Sequence, residues 1–243
     1  LWKNTLVEDP TSRAEPLVDY SAEASIRLYD NGGELVATAT ASALFADFDN
    51  DGWLDIFANG NLLGIVPPPV DDVRGLNQLW HNKGDGTYVN VGQFAGLTNQ
   101  VASRNSTVLD YDRDGDLDLF VANYLRWNSA NEFPCKSKLG SPDYCHPNNF
   151  DSPDSDTLYE HQGDATFRDV SSSSGIAEVF GNGLGVAWGD MTGDGRVDIY
   201  VANDGMANQL WVNQGAGKFM DQALLKGCAL SGEGKAEAGM GVI

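Results

Sequence analysis

Residues 47–55 read DFDNDGWLD, residues 110–118 read DYDRDGDLD, and residues 190–198 read DMTGDGRVD. Aligned, they give D-x-D-x-D-G-x-x-D twice and a third copy that keeps the pattern except for Thr192 at position 3. The spacing has a physical reason. Carboxylates at positions 1, 3 and 5 turn into one concavity as the backbone curls, and glycine at position 6 permits the sharp turn. The position-7 carbonyl faces the centre and Asp at position 9 closes the shell, as in the loop of an EF-hand but without its helices. The candidate ligands are Asp47, Asp49, Asp51, the carbonyl of Trp53 and Asp55 in the first loop. In the second they are Asp110, Asp112, Asp114, the carbonyl of Asp116 and Asp118. In the third they are Asp190, Thr192, Asp194, the carbonyl of Arg196 and Asp198, with a neutral hydroxyl or a water in place of one carboxylate and hence a weaker site. Hard oxygen donors without His or Cys select Ca²⁺ over Zn²⁺ or Cu²⁺, and their number in a flexible loop favours Ca²⁺ over Mg²⁺. Two to three calcium ions are expected.

Each loop lies between short apolar runs, and a second block follows it: NQLWHNKGDGTYVNV from Asn77, DTLYEHQGDATFRDV from Asp156, and NQLWVNQGAGKFMDQ from Asn208. Its Gly-rich centre reads as a hairpin turn, because glycine supplies the positive φ that tight hairpins need. The repeat is therefore four short strands: A before the Asp loop (residues 43–46 in the first copy), B after it (residues 53–58), and C and D around the second turn. First Asp residues at 47, 110 and 190 space the repeats 63 and 80 residues apart. A repeated four-stranded antiparallel unit points to an all-β fold and, among all-β folds, to a propeller.

The blocks divide the chain into blades at residues 43–105, 106–183 and 184–235, with a partial blade at 1–42 and the start of another at 236–243. Residues 1–4, LWKN, match a strand C. Residues 239–243 resemble a strand A that stops before its loop. Leu1 is not an initiator methionine, so the sequence reads as a piece of a larger ring, and targeting information is expected to be lost.

The 243 residues carry 35 Asp and Glu against 15 Lys and Arg, a net charge of −20. Aspartate outnumbers glutamate 26 to 9, and eleven of the aspartates stand at carboxylate positions of the three loops. That acidity argues against nucleic acid or an anionic membrane as partner, and no apolar run approaches the length of a membrane span. Aromatics at 10% and six Trp supply a core, so the charge does not signal disorder.

Cys135 and Cys145 flank a Gly/Pro/Ser-containing segment that a disulfide would close, or they are two free thiols in a reducing compartment; spacing leaves both open. Cys228 stands apart. The B–C connections are long, at residues 60–75 and 124–155. The second carries Tyr124, Trp127, Tyr144 and His146, which read either as an exposed surface for a glycan or protein or as the small core of an insertion, with the small core favoured. His81 and His161 lie on or beside strand C, where packing or exposure is the expectation. No catalytic constellation is visible. Asn105-Ser106-Thr107 is a glycosylation sequon, expected in an accessible D–A loop.

The blocks ADFDNDGWLDIFAN, LDYDRDGDLDLFVAN and WGDMTGDGRVDIYVAND resemble FG-GAP/VCBS repeats, the calcium-loop blades of integrin-α-like β-propellers. The second block and the Cys135–Cys145 insertion are most similar to the cartilage-acidic-protein type, whose chains often carry an ASPIC/UnbV domain. The resemblance implies about seven blades in the complete protein and calcium between strands A and B. It further implies an extracellular, periplasmic or cell-surface location and a recognition, adhesion or assembly role with protein or glycan partners, further blades or subunits included. The alternative is the scaffold of a polysaccharide lyase or dehydratase.

Overall fold

Every Asp loop connects two antiparallel strands, and the strands around the loops form three sheets on one plan. The computed structural model describes residues 2–4, 17–19, 40–60, 77–98, 101–126, 134–143 and 145–242. Near the start, Trp2–Asn4 (β1) pairs antiparallel with Leu17–Asp19 (β2). The first sheet follows with Thr40–Ala46 (β3), Asp55–Gly60 (β4), Gln78–Asn82 (β5) and Tyr88–Asn90 (β6), neighbours in chain order.

The second sheet is built from Ala102–Leu109 (β7) and Asp118–Leu125 (β8), then Thr157–His161 (β10) and Phe167–Asp169 (β11). Between them, Asp154–Ser155 (β9) pairs with Phe180–Gly181 (β12). The third sheet runs Gly183–Gly189 (β13), Asp198–Met206 (β14), Gln209–Gly215 (β15) and Lys218–Asp221 (β16). Glu237–Ala238 (β17) pairs with the far end of β14. Residues 239–242, read from the sequence as a strand A, are not in a strand.

Two strand limits differ from the sequence reading, for a local reason. The strand after the first loop begins at Asp55 rather than residue 53, because the Trp53 N–H is taken by the Asp51 carboxylate at 2.8 Å and held within the loop. The strand before it extends back to Thr40, across a register irregularity between Thr40 and Ala43. The last hairpin turns on Ala216 and Gly217, both at positive φ (52° and 69°), the backbone of a tight two-residue turn.

A central strand of the second sheet, β8, is buried on both faces. Along β8, Leu119 and Val121 pack with Phe57 and Leu79 of the first sheet, while Phe120 and Ala122 pack with Ile199, Val201 and Trp211 of the third. Period-two alternation between two cores explains why this strand is apolar at successive positions. Sheet-to-sheet hydrogen bonds add to the packing. Asn59 Nδ2 donates to the Asn105 carbonyl at 3.3 Å, Ser106 Oγ donates to Asn59 Oδ1 at 2.8 Å, and Asn105 Nδ2 donates to the Leu184 carbonyl at 3.3 Å. Asn105 therefore lies within β7, its amide engaged between sheets, and not in the accessible loop that its sequon suggested.

Candidate metal centres

The three Asp loops share one backbone path. Position 4 is left-handed in each (Asn50 φ 57°, Arg113 φ 67°, Gly193 φ 77°), and so is the glycine at position 6 (Gly52, Gly115 and Gly195). The position-1 carboxylate organises the turn by accepting backbone N–H groups. Asp47 takes those of Asp51 (3.1 Å) and Gly52 (3.0 Å), Asp110 those of Arg113 (2.7 Å) and Gly115 (3.2 Å), and Asp190 those of Gly193 (2.7 Å) and Gly195 (2.8 Å). The position-5 carboxylate accepts the N–H of position 7, Trp53, Asp116 or Arg196, at 2.8–2.9 Å.

Position 9 is buried, and there the carboxylate clamps three chain segments. One oxygen of Asp55 accepts the Phe48 N–H (3.2 Å) and the other the Asn82 N–H (2.8 Å). Asp118 does the same with Tyr111 (3.1 Å) and His161 (2.9 Å), and Asp198 with Met191 (3.1 Å) and Asn213 (2.9 Å). Each clamp ties its own loop to the third strand of its sheet. The spacing had suggested only a closing ligand for this residue.

The donor sets differ between loops. Carboxylate oxygens of Asp47, Asp49 and Asp51 lie within 4.8 Å of one another, as do those of Asp110, Asp112 and Asp118. These all-oxygen sets in curled loops fit Ca²⁺. The third loop gathers no such group among the described residues. Its Asp194 carboxylate is engaged by Arg196 Nη2 at 2.5 Å, and the Thr192 hydroxyl is buried without a hydrogen-bond partner. The arginine supplies in the third loop a positive charge that an ion would otherwise bring.

Electrostatics follow from like charges and burial. Burial pushes Asp118 up to about 7, the His161 and Tyr111 N–H groups opposing it and Asp112 and Asp114 adding to it. Burial likewise raises Asp55 and Asp112 above the usual carboxylate range. The Gly195 N–H, with further loop N–H groups, holds Asp190 below it.

His81 and His161 both stand at the loops; His161 also packs as expected, buried with its ring 5.1 Å from that of Phe167 in an edge-to-face contact. His81 Nδ1 lies 3.1 Å from Asp49 Oδ2 and 3.3 Å from Asp55 Oδ1. His161 Nδ1, 3.4 Å from Asp116 Oδ2, accepts the Gly163 N–H at 3.1 Å, as the Asn213 side chain accepts the Gly215 N–H in the third sheet. The signal available in the sequence was their place at the end of strand C, which the position-9 clamp draws against the loop.

Away from the loops, Cys135 and Cys145 form a disulfide, which settles the alternative that spacing left open, and Cys228 is free. Tyr124 is half-buried, donates to Asp204 Oδ2 at 2.9 Å and carries the Arg104 guanidinium over its ring at 5.0 Å, so it links the second sheet to the third. His146 is exposed, whereas Trp127 and Tyr144 lie outside the described residues. Among the described residues no helix is long and apolar enough to cross a membrane.

A model of the FG-GAP-like repeat matches residues 62–121 and 144–201, two stretches that each run through a strand C, its hairpin and the next Asp loop. The chain carries FG-GAP-like repeats. Relatives point the same way. Cartilage acidic protein 1 of Xenopus tropicalis is 38% identical over 72 residues, covering 28% of this chain and 11% of that protein. Its counterpart in Homo sapiens is 26% identical over 227 residues, covering 85% and 32%. The chain thus spans about a third or less of these relatives. A solved structure of an Agrocybe aegerita lectin, described as recognising non-reducing terminal N-acetylglucosamine, aligns at 18% identity over 72% of this chain and 49% of that one. Its TM-score of 0.22 carries no argument.

Proposed function

We propose that this chain is part of an extracytoplasmic β-propeller whose FG-GAP-like loops bind calcium and whose rigid blades present a recognition or adhesion surface. The observation that carries the reading is the pair of all-oxygen donor groups, Asp47/Asp49/Asp51 and Asp110/Asp112/Asp118, at the same place in two successive sheets. Calcium there offsets the mutual repulsion of the carboxylates and fixes the loop that the position-9 Asp already clamps to the sheet. Asp47, Asp49, Asp51, the Trp53 carbonyl and Asp55 hold one ion; Asp110, Asp112, Asp114, the Asp116 carbonyl and Asp118 hold the other. A third, weaker ion uses Asp190, Thr192, Asp194, the Arg196 carbonyl and Asp198.

We read the three sheets as three blades of a ring of about seven, with the blade limits of 43–105, 106–183 and 184–235 moved to the strand starts at Thr40, Ala102 and Gly183. The strands that follow the Asp loops, β4, β8 and β14, end away from those loops, and that end of the sheets is where a protein or glycan partner docks. The disulfide and the naming of the relatives as cartilage acidic protein favour an extracellular setting. Thermal unfolding in millimolar calcium and in excess EGTA, with metal analysis of the untreated protein, tests the reading. A large fall in Tm on chelation with two to three calcium ions per chain is expected. An absence of calcium together with an unchanged Tm overturns it.

A further inference from the structure

The first loop has beside it a nitrogen donor that the other two lack at the equivalent place in strand C. At the end of strand C, His81 brings Nδ1 to 3.1 Å from Asp49 Oδ2 and 3.3 Å from Asp55 Oδ1, so that one imidazole and two carboxylates converge on the side of the loop facing the sheet. At the equivalent place the second sheet has Glu160, turned to Arg168 and Tyr111, and the third has Val212.

Two edges of the group, 3.1 and 3.3 Å, match a coordination shell, and donor atoms of all three residues lie within 4.8 Å of one another. An ion bound at about 2.0–2.2 Å by nitrogen and oxygen sets neighbouring donors roughly 3.0 Å apart in octahedral geometry and roughly 3.4 Å apart in tetrahedral geometry. Calcium, at about 2.3–2.6 Å and with a preference for oxygen, has little use for the imidazole, whereas Zn²⁺ binds it well. The carboxylates are already oriented for the task. Asp49 Oδ1 accepts the Asp51 N–H at 3.3 Å, which leaves Oδ2 toward His81, and Asp55 Oδ1 is positioned by the Asn82 N–H at 2.8 Å.

We infer that Asp49, Asp55 and His81 form a second metal site beside the first Asp loop, selective for a divalent ion of the zinc class, with water completing the shell. Asp49 and Asp55 are common to this site and to the calcium set of the loop, each offering one oxygen, Asp49 Oδ2 and Asp55 Oδ1, on the His81 side. The site does not depend on calcium filling the loop.

Zinc is the probe. The protein is equilibrated with micromolar Zn²⁺ in millimolar Ca²⁺, and both metals are counted after removal of the excess. One zinc per chain is expected, with affinity reduced by about tenfold or more in His81→Gln and unchanged in His146→Ala. X-ray absorption at the zinc edge of the unsubstituted protein reads the site without any variant. An imidazole scatterer with oxygen donors at about 2.0–2.1 Å is expected. Zinc that binds equally to His81→Gln, an all-oxygen shell, or no zinc at all overturns the inference. Counting calcium in the same samples separates its failure from failure of the calcium reading.

Discussion

Asp118 Oδ1 accepts the backbone N–H of His161, 43 residues further along the chain, at 2.9 Å, while its other oxygen accepts the N–H of Tyr111. Both N–H groups point into a site from which water is excluded, so the carboxylate is their partner in the fold. Asp118→Ala is expected to lower the unfolding free energy by about 2–5 kcal/mol, the cost of leaving two buried donors unpaired. Denaturant unfolding in EGTA measures this without a contribution from any bound ion.

Calcium occupancy is expected to rank with the donor sets. Isothermal titration should find two tight sites and a weaker third, with Asp112→Asn removing one of the tight ones. Thr192→Asp combined with Arg196→Ser restores the missing carboxylate and frees Asp194, and is expected to bring the third site into the range of the others. A free calcium concentration 100 times the dissociation constant stabilises by about 2.7 kcal/mol per site. The difference in Tm between calcium and EGTA should grow accordingly.

Asp156 stands where the first and third sheets have Asn77 and Asn208. Its Oδ1 accepts the Asn123 N–H at 3.0 Å as their amide oxygens accept the N–H groups of Gly60 and Asn203. Burial pushes Asp156 up to about 7, with Asp154 adding to the effect. A carboxyl whose folded value lies above its unfolded value of 3.8 binds its proton more tightly in the native state. Stability is then greatest below pH 4 for this group, falls between pH 4 and 7, and is level above. Asp156→Asn keeps the acceptor and is expected to remove that slope, gaining ~2–4 kcal/mol at pH 8. Unfolding measured across pH in EGTA, variant against parent, checks it.

Gly96 adopts φ 85°, and a Cβ there would lie 2.4 Å from the Phe167 carbonyl oxygen, beside the 2.8 Å hydrogen bond from Phe167 N–H to the Ala95 carbonyl that joins the first sheet's trailing turn to β11. Gly96→Ala combines positive-φ strain with a backbone clash. A loss of about 2–4 kcal/mol in denaturant unfolding is expected.

The repeats, the loops and the four-strand order of each sheet were legible because they depend on local rules: an Asp spacing, a glycine turn, a period of two. Strand limits failed where a side chain captured the backbone, as Asp51 does at Trp53. The position-9 clamp was invisible because its partners, Asn82, His161 and Asn213, are distant in sequence and contribute only a main-chain N–H. His81 was hidden for the same reason, since its approach to Asp49 depends on pairing between β4 and β5. Asn105 misled because a sequon is a statement about three residues, whereas its amide is used by a neighbouring sheet.

The division of labour within each Asp loop bears on how such a repeat can change over generations. Position 9 is held by two buried donors and resists replacement whatever ion is present. The side chain at position 3 takes no part in the clamp: the third sheet keeps the same strand order and the same Asp198 clamp with threonine there, whose backbone N–H Asp198 accepts at 3.1 Å. Ion preference can drift from one repeat to the next, even to the point of an arginine taking over the charge, without the architecture being put at risk.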